Sequence, residues 1–473
     1  MKTKHPISGC GAVLAGILLQ SVPCSAADRP GAAALLTPWL SFWEDKGRFD
    51  GEAMHRWESR NNNFDFAPGA ATNGTDDSWT QQRLRLGVTL KPAPWLKLVV
   101  QGQDSREFGS DRADVPGLAA AEGDDTFDLT QAYVELGDGK ASPWSLKVGR
   151  QSLAFGDERL VGPLEWLNFA RRFDAVKLGY TAGNLKLTGF VSSSVVTRRK
   201  SFNRSDAFDG NDTSRGQLFS GLYASYDAPK FGAVEGYVLT LNQSQTNAGN
   251  LEAGVLTGNG AAGSDFVTLG TRVKGDPKRL GGWDVEMETA VQMGRAGGDD
   301  LQAFAFHGGG GYNFKAPLKP RLFAEYNYAT GDGKAGDGKS GTFQNLFPTN
   351  HKFYGYMDFF AWQNIHNPAV SLRVSPAATV NVQLDYHSFW LADTADSWYR
   401  ANGVTGVRAK SPAADSFVGQ EVDLTVTWKA HKHVSVQAGI SHFFAGEYLK
   451  NAPSAGRPNE DADFGYVMTT IAF

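Results

Sequence analysis

Cysteine is almost absent from this sequence, which has only Cys10 and Cys24 among 473 residues. Both fall within residues 1–27, so an exported chain that loses this segment has no disulfide to stabilise it. Long hydrophobic runs are missing as well, because GAVLAGILLQSV at 11–22 is too short to cross a bilayer as a helix. Excess basic charge is also lacking: the formal net charge is −4, which gives no reason to expect nucleic-acid binding.

The N-terminus has the features of a secretory signal peptide. Lys2 and Lys4 give it a positive start, an apolar run follows, and the small residues of CSAAD at 24–28 offer a cleavage site. We expect residues 1–27 to be removed and residues 28–473 to form one exported domain.

Segments in which apolar and polar side chains alternate recur along the rest of the chain. In QRLRLGVTL, at 82–90, leucine and valine occupy every second position, opposite arginine and threonine. QEVDLTVTW, at 420–428, repeats the pattern with acidic residues and threonine on the polar face. A period of two is the signature of β-strands, so the chain is predicted to be all-β.

Short and long connections alternate between these predicted strands. The short ones lie at 91–95, 137–143, 181–184, 227–230, 275–282, 315–320, 375–378 and 429–433. The long ones lie near 60–78, 107–126, 155–171, 197–214, 244–263, 329–366, 392–416 and 446–461, with a link of moderate length near 295–300. This arrangement predicts a transmembrane antiparallel β-barrel of about 18 strands, with short periplasmic turns and long extracellular loops. A soluble all-β protein is the alternative, but it does not explain the charge on the polar face or the alternating connection lengths.

The last residues of the chain agree with a membrane barrel. GYVMTTIAF, at 465–473, alternates and ends on Phe473. A terminal aromatic residue on an alternating last strand resembles the signal that the outer-membrane barrel-assembly machinery reads. We therefore expect that machinery and outer-membrane lipid as partners, and a location in the bacterial outer membrane.

Basic residues on the polar face of the strands are predicted to point into the barrel lumen. A lipid-facing arginine or lysine near the membrane centre costs about 2–4 kcal/mol, so alternation places these side chains inside. They are Arg83, Arg85, Lys97, Lys147, Lys177 and Lys186. Arg150 breaks the apolar pattern of Leu146 and Val148, which predicts a β-bulge after Gly149 or the end of the strand there.

The stretch GRQSLAFGDERLVGPLEWLNFARRFD, at 149–174, connects two predicted strands and is rich in aromatic and charged residues. Its apolar content predicts a loop folded into the lumen, with Trp166 packed against the barrel wall. The arginines held near the pore axis are predicted to be Arg150, Arg159, Arg171 and Arg172, paired with Asp157, Glu158, Glu165 and Asp174. Guanidinium groups fixed in this way favour carboxylates and phosphates. The alternative is that the same ion pairs only hold a structural plug, and the two roles can coexist.

No motif in the sequence supports an enzyme. HExxH, P-loop and nucleophile-elbow motifs are absent, and GNGAAG at 258–263 has loop composition with no helix predicted after it. We expect no cofactor. GDGKAGDGKSG, at 331–341, holds Asp332 and Asp337 among glycines, where an extracellular calcium site is an alternative to a solvated loop.

Several segments in collinear order resemble the alginate export family of outer-membrane barrels. They are LKVGRQSLAFGDERLVGPLEWLNFARRFDAV at 146–176, FQNLFPTNHKFYGYMDFF at 343–360, LDYHSFWLAD at 384–393 and VGQEVDLTVTW at 418–428. The resemblance implies a monomeric barrel of about 18 strands whose arginine-rich constriction conducts a polyuronate. By motif position it implies pore-lining roles for Arg150, Arg171, Arg172 and Lys352.

Taken together, these features predict a channel that passes alginate-like anionic polysaccharide or small anionic solutes. Lumen cations are expected mainly in the first half of the chain, because VSVQAGISHF at 434–443 has no arginine and DFFAWQN at 358–364 is aromatic. A general or substrate-specific porin for small nutrients is one alternative, and a sealed barrel with an enzymatic or structural role is another. Ion conductance and selectivity separate these functions.

Overall fold

The computed structural model describes residues 41–42, 46–62, 76–110, 124–137, 142–197, 202–205, 216–243, 263–401, 403, 415–451 and 461–473. The predicted signal peptide, residues 1–27, lies outside the described residues, as do most residues of the connections predicted near 197–214 and 244–263. No helix in the described ranges is both long enough and apolar enough to cross a membrane.

The chain forms a closed antiparallel β-barrel of 18 strands. The wall strands of the first half are β2 (Gly47–Asn61), β3 (Asp77–Ala93), β4 (Leu96–Phe108), β5 (Asp125–Leu136), β6 (Trp144–Gln151), β7 (Phe173–Ala182), β8 (Leu185–Val196), β10 (Gln217–Ala228) and β11 (Gly232–Gln243). Those of the second half are β12 (Ser264–Gly275), β13 (Trp283–Ala296), β14 (Asp299–Asn313), β15 (Arg321–Ala329), β17 (Ile365–Ala377), β18 (Val380–Trp390), β19 (Phe417–His431), β20 (Val434–Ala445) and β21 (Ala462–Ala472). Each wall strand pairs antiparallel with the next, and pairing of β21 with β2 closes the sheet. The predicted transmembrane-type barrel of about 18 strands is confirmed.

Three short strands and two short helices of the described chain lie outside this wall. β1 (Ser41–Phe42) pairs with β2, β9 (Arg204–Ser205) pairs with the end of β8, and β16 (Lys339–Ser340) pairs in parallel with β14. A 3₁₀ helix spans Asn350–Lys352, and one α-helix, α1, spans Glu447–Asn451.

Alternation along each strand separates a lipid face from a lumen face. In β10, Leu218, Leu222 and Tyr226 are exposed, whereas Phe219 and Tyr223 are buried. Other wall strands repeat this pattern, so exposed aliphatic side chains form a band around the outside of the barrel. In a transmembrane barrel the bilayer covers such a band.

Exposed tryptophans mark one edge of the apolar band. Trp95, Trp144, Trp283 and Trp428 all lie close to the short turns, and each is about half exposed. Aromatic girdles flank the apolar band of transmembrane barrels at the membrane interfaces. The short turns therefore lie just beyond one interface, at the end of the barrel where the chain terminates.

Connection lengths differ between the two ends of the barrel, as predicted. Residues 183–184, 378–379 and 432–433 are two-residue turns at one end, whereas the other end carries the long loops. One link departs from the prediction of moderate length, because only Gly297 and Gly298 connect β13 to β14. Both glycines have positive φ, of 62° and 94°, which suits the tight hairpin turns that favour such residues.

A charged substitution on the lipid face should destabilise the barrel. Leu222 lies near the middle of β10 and is 54 % exposed, so Leu222→Arg is expected to lower the free energy of unfolding by about 2–4 kcal/mol. Ser225→Arg is the matched control, because Ser225 faces the lumen and donates to Glu235 at 3.1 Å. Reversible urea unfolding in lipid vesicles measures both variants, and equal costs would contradict the assigned faces.

Candidate functional site

The connection between β6 and β7 folds into the lumen, and we call it the inward loop (residues 152–172). Its Leu153, Leu160 and Val161 are at most 3 % exposed and belong to the hydrophobic core inside the barrel. Glu158 and Leu164 have positive φ, of 69° and 48°, so the loop turns sharply at both positions. An extended hairpin could not form these contacts, and the loop is instead compact and packed.

The inward loop contacts opposite walls of the barrel. On one side, Nη1 of Arg56 in β2 donates to the Trp166 carbonyl at 2.7 Å, and the guanidinium lies 3.9 Å from the Trp166 ring centroid. On the other side, Asp157 accepts from Arg272 of β12 at 2.6 Å and from Lys274 at 2.9 Å. Because β2 and β12 lie half-way round the barrel from each other, the loop crosses the lumen.

A second connection, the aromatic loop (residues 341–364), packs against the inward loop. The Phe347 N–H donates to the Leu160 carbonyl at 2.9 Å, and the Gly162 N–H donates to the Phe347 carbonyl at 2.8 Å. The wholly buried Phe347 ring also packs on Phe219 of β10, with 4.8 Å between ring centroids. The two loops therefore form one plug, which is attached to the wall.

A buried carboxylate of β19 anchors the far part of the aromatic loop. Glu421 is wholly buried, and its Oε1 accepts the Met357 N–H at 2.9 Å. Arg60 of β2 donates to the carbonyl of the same methionine at 3.0 Å. Gly355 has a φ of 87°, and a Cβ there would collide with the Glu421 carboxylate, so conformation and space both require glycine. The wall thus fixes this turn of the plug from two sides.

Three predicted pore residues meet at Glu165 of the inward loop. Its carboxylate accepts from Arg85 at 2.8 Å and from Arg172 at 2.9 Å, and Arg83 donates to its backbone carbonyl at 3.1 Å. Burial raises the pKa of the Glu165 carboxyl, but the charges of Arg172, Arg85 and Arg83 outweigh burial and bring the pKa down to about 2. The arginine side chains are at most 8 % exposed, whereas that of Glu165 is 45 % exposed. These arginines therefore hold the plug in place.

Arg171 joins the two loops of the plug. Its Nη1 donates to the Gly162 carbonyl at 3.0 Å and to the Pro348 carbonyl at 2.9 Å. Burial lowers the pKa of the guanidinium to about 9, which still leaves it charged at neutral pH. The residue is 7 % exposed and lies inside the plug, which favours the structural-plug alternative over the predicted pore-lining role for Arg171.

Arg150 lies on the outer face of the barrel. It stands directly opposite Asp174 in the β6–β7 pair, in phase with the exposed Val148 and Val176. Its Nε donates to Asp174 Oδ1 at 2.9 Å. β6 runs to Gln151 with an unbroken register, so the predicted bulge is not formed and the strand ends one residue after Arg150. Strand phase therefore does not place Arg150 and Asp174 on the lumen face, although the Arg150 guanidinium also lies 3.9 Å from the buried carboxylate of Asp128.

A cavity of about 270 Å³ lies between the aromatic loop and the wall. The charged side chains that line it are Asp157, Arg159, Lys274, Glu286, Arg321, Glu325, Lys352 and Asp385. Lys352 and Lys274 are the most exposed of these, at 43 % and 38 % of the side chain. The side chain of Arg159 is only 1 % exposed, and its guanidinium lies 4.0 Å from the Phe353 ring centroid. Lysines therefore present the accessible positive charge of the cavity.

The carboxylates beside these lysines already have cationic partners. Burial raises the pKa of Asp157, but the charges of Arg272 and Lys274 lower it more, so this pKa lies below its ordinary value. Lys274 Nζ also lies 2.8 Å from Glu286 of β13. Lys352 has a more distant partner, because its Nζ is 3.5 Å from Glu158 of the inward loop. The predicted partners Asp157 and Glu158 thus pair with lysines of the cavity.

Lys274, Arg272 and Arg321 are lumen cations that the sequence prediction did not include. They lie in the second half of the chain and add to the more numerous lumen cations of the first half, such as Arg83, Arg85 and Lys97. Arg272 and Lys274 flank Val273 in β12, and this alternation is the signal that could have revealed them.

In the described ranges, no group of three or more His, Cys, Asp or Glu side chains is arranged to hold a metal ion. Asp332 and Asp337, at the predicted alternative calcium site, accept hydrogen bonds from the backbone N–H groups of Lys334 at 3.3 Å and Lys339 at 3.0 Å. Each bond spans two residues, so these carboxylates stabilise turns of their own loop.

Solved outer-membrane porins share this fold. Acinetobacter baumannii OccAB4 matches with a TM-score of 0.58 and 11 % identity, over 90 % of this chain and 98 % of that chain. Pseudomonas aeruginosa OccK9 (OpdG) matches with a TM-score of 0.57 and 16 % identity, over 92 % of this chain and 100 % of that chain. Pseudomonas aeruginosa OpdK with vanillate matches with a TM-score of 0.54 and 11 % identity, over 92 % and 100 %. No curated protein sequence matches the chain.

The family model described as alginate export matches residues 48–463. This range begins in the first wall strand, β2, and ends in the last, β21, so the match covers the whole circumference of the barrel. The chain therefore belongs to the alginate export family and forms a porin-like outer-membrane channel.

Proposed function

We propose that this channel passes small anionic solutes, in particular sugar acids of the uronate type, through the space left beside the plug. The observation that carries the proposal is the cavity under the aromatic loop, where Lys274 and Lys352 are the most exposed charged side chains. Ammonium groups on flexible stems attract carboxylates as mobile point charges. The family to which the chain belongs supports a uronate as the solute.

Electrostatics supply both attraction and release in the proposed mechanism. The lysines compensate for the water that a carboxylate loses on entering the narrow part of the lumen. Asp157 and Glu158 compete for the same lysines, which keeps the solute weakly bound and lets it leave. No bond is made or broken in the solute, and the chain acts as a channel and not as an enzyme.

The arginines have a different role in this proposal, because they position the plug. Arg83, Arg85 and Arg172 donate to carbonyls and carboxylates within the protein, an arrangement that suits the planar guanidinium fork. A plug that crosses the lumen favours small solutes over a long polysaccharide chain. The OpdK structure contains vanillate, a small carboxylate, which is consistent with small anions as solutes for a barrel of this fold.

Reversal potentials test the proposed anion preference. The purified full-length protein would be inserted into planar bilayers under a salt gradient, followed by addition of glucuronate or a short oligouronate. Anion preference with partial block by the sugar acid supports the proposal. A weakly selective current without block indicates a porin for small nutrients instead.

Lys352→Gln is expected to lower the anion-to-cation permeability ratio by roughly two- to fivefold, the effect of one exposed charge. The reason is that Lys352 is 43 % exposed and its partner Glu158 is 3.5 Å away, so its charge reaches the solvent of the cavity. Lys334→Gln removes the same charge from an exposed position in a loop and serves as the control. Equal ratios for Lys352→Gln and the unmodified channel would contradict the proposal.

A sealed barrel is the second candidate, because the plug is attached to opposite walls through Trp166 and Asp157. It predicts negligible current from a folded protein. A difference in gel migration between the unheated and the boiled protein would show that the tested sample contains a folded barrel.

A further inference from the structure

Two lysines face each other on the lumen side of neighbouring strands. Lys147 of β6 stands directly opposite Lys177 of β7 in the antiparallel register. Val148 and Val176, the next residues in each strand, are exposed on the lipid face, so both lysines point inward. Neither lysine lines the cavity under the aromatic loop, so this is a separate position in the lumen.

The protein supplies little negative charge at this position. Lys97 of β4 also points to this part of the lumen, and its Nζ lies 3.5 Å from Glu135. Lys147 Nζ lies 3.6 Å from the ring centroid of Tyr133, a contact with a π-face and not with a carboxylate. Among the described ion pairs, none involves Lys147 or Lys177.

Like charges directly opposite each other destabilise an antiparallel pair unless something neutralises them. Here three lysines share one carboxylate, that of Glu135, which stands directly opposite Lys147 in the β5–β6 pair and is itself one-third exposed. Water screens part of the repulsion, and a small anion between the two ammonium groups would remove most of the rest. The lysine pair is therefore better suited to hold a bound anion between its ammonium groups than to remain without one.

The lysine pair lies towards the end of the barrel that carries the short turns. On the outer face, Trp144 and Tyr180 form an aromatic pair with ring centroids 4.7 Å apart, at the membrane interface. Lys147 is three residues further along β6, which corresponds to about 10 Å at 3.4 Å per residue. A solute that leaves the cavity under the aromatic loop could therefore meet this pair before the periplasmic mouth.

We propose that Lys147 and Lys177, with Lys97 and Tyr133 beside them, form a second anion subsite that binds one small oxyanion group, a carboxylate or a phosphate. This inference rests on the proposed function and adds a second binding position along the path of the solute. Two weak sites along one path allow entry at the first and release from the second, because neither binds tightly enough to hold the solute.

The test is block of the single-channel current by glucuronate or inorganic phosphate added on the short-turn side. For the full-length channel carrying both Lys147→Gln and Lys177→Gln, the half-blocking concentration is expected to rise roughly fivefold or more, the effect of two exposed charges. The double variant with Lys147→Arg and Lys177→Arg keeps the charges and is expected to retain block within about twofold. Lys186→Gln, at a lumen position near the same rim, is the matched control and is expected to change block by less than about twofold.

The outcomes separate this inference from the proposed function. Block by both anions identifies a general oxyanion subsite, and block by glucuronate alone identifies a sugar-acid subsite. Unchanged block in the double glutamine variant, or an equal effect of Lys186→Gln, overturns the subsite. An anion-selective channel that neither anion blocks overturns the subsite alone, whereas cation selectivity of the unmodified channel overturns the proposed function as well.

Discussion

Phe347→Ala is expected to raise single-channel conductance severalfold while the barrel stays folded. The Phe347 ring is wholly buried and packs on Phe173 and Phe219 of the wall, with ring centroids 5.1 and 4.8 Å away. Truncating a buried phenylalanine costs about 3–5 kcal/mol. That cost falls on the attachment of the plug and shifts its closed-to-open ratio by a factor of roughly 10²–10⁴. Planar-bilayer recording measures the conductance directly.

Phe314→Ala is the matched control for that experiment, because Phe314 is 45 % exposed and lies in a short turn. Its conductance should equal that of the unmodified channel. Heat-modifiable migration on gels would confirm that both variants contain a folded barrel. If Phe347→Ala folds and conducts like the control, the plug does not limit the current and the proposed path beside it is wrong.

Glu165→Gln is expected to loosen the inward loop and to open the channel at neutral pH. Arg85 and Arg172 are at most 8 % exposed and contact this carboxylate at 2.8 and 2.9 Å, so Arg172 would lose its anionic partner and Arg85 would keep only Glu52, at 3.7 Å. Buried arginines without a partner are strongly disfavoured, whereas the half-exposed Glu165 limits the loss to about 1–2 kcal/mol. Conductance and its fluctuation should both increase, and Glu447→Gln, at the start of α1, is the control.

The pH dependence of the unmodified channel should report the same carboxylate. The folded-state pKa of Glu165, about 2, lies below its ordinary value because the charges of Arg172 and Arg85 outweigh burial. Its stabilisation of the plug is therefore complete above about pH 4.3, the unfolded pKa, and is lost as the pH falls through about 2. Conductance should be constant from neutral pH to about pH 5 and rise between about pH 4 and pH 2. Glu165→Gln should show no such rise, and a rise in both channels would assign it to another group.

The barrel could be predicted from the sequence because its signals are local. Alternation, as in the QRLRLGVTL segment of β3, follows from the strand pleat, and lipid on one side with water on the other imposes it on every wall strand. Turn positions are similarly local, since two-residue links such as 183–184 need residues that tolerate tight bends. The predicted lumen face of Arg83 and Arg85 followed from the same alternation.

The candidate site could not be predicted to the same depth, because it depends on contacts between distant segments. Arg171 and Arg172 are adjacent in sequence, yet one joins the two loops of the plug and the other binds Glu165. Phase alone placed Arg150 on the lipid side, and the expected bulge that would have turned it inward does not form. Lys274 pairs with the plug only because the inward loop carries Asp157 across the lumen to β12.

The sequence by itself determined the class of protein: an all-β chain with an apolar face and a charged face, long loops at one end, and membership of the alginate export family. Tertiary structure alone decided which charges face water. Loops from two connections fill the lumen, and their backbone carbonyls and acids bind most of the arginines predicted to line it. The physical reason is that strand periodicity is set by neighbours in sequence, whereas exposure of a lumen side chain depends on which distant segment packs over it.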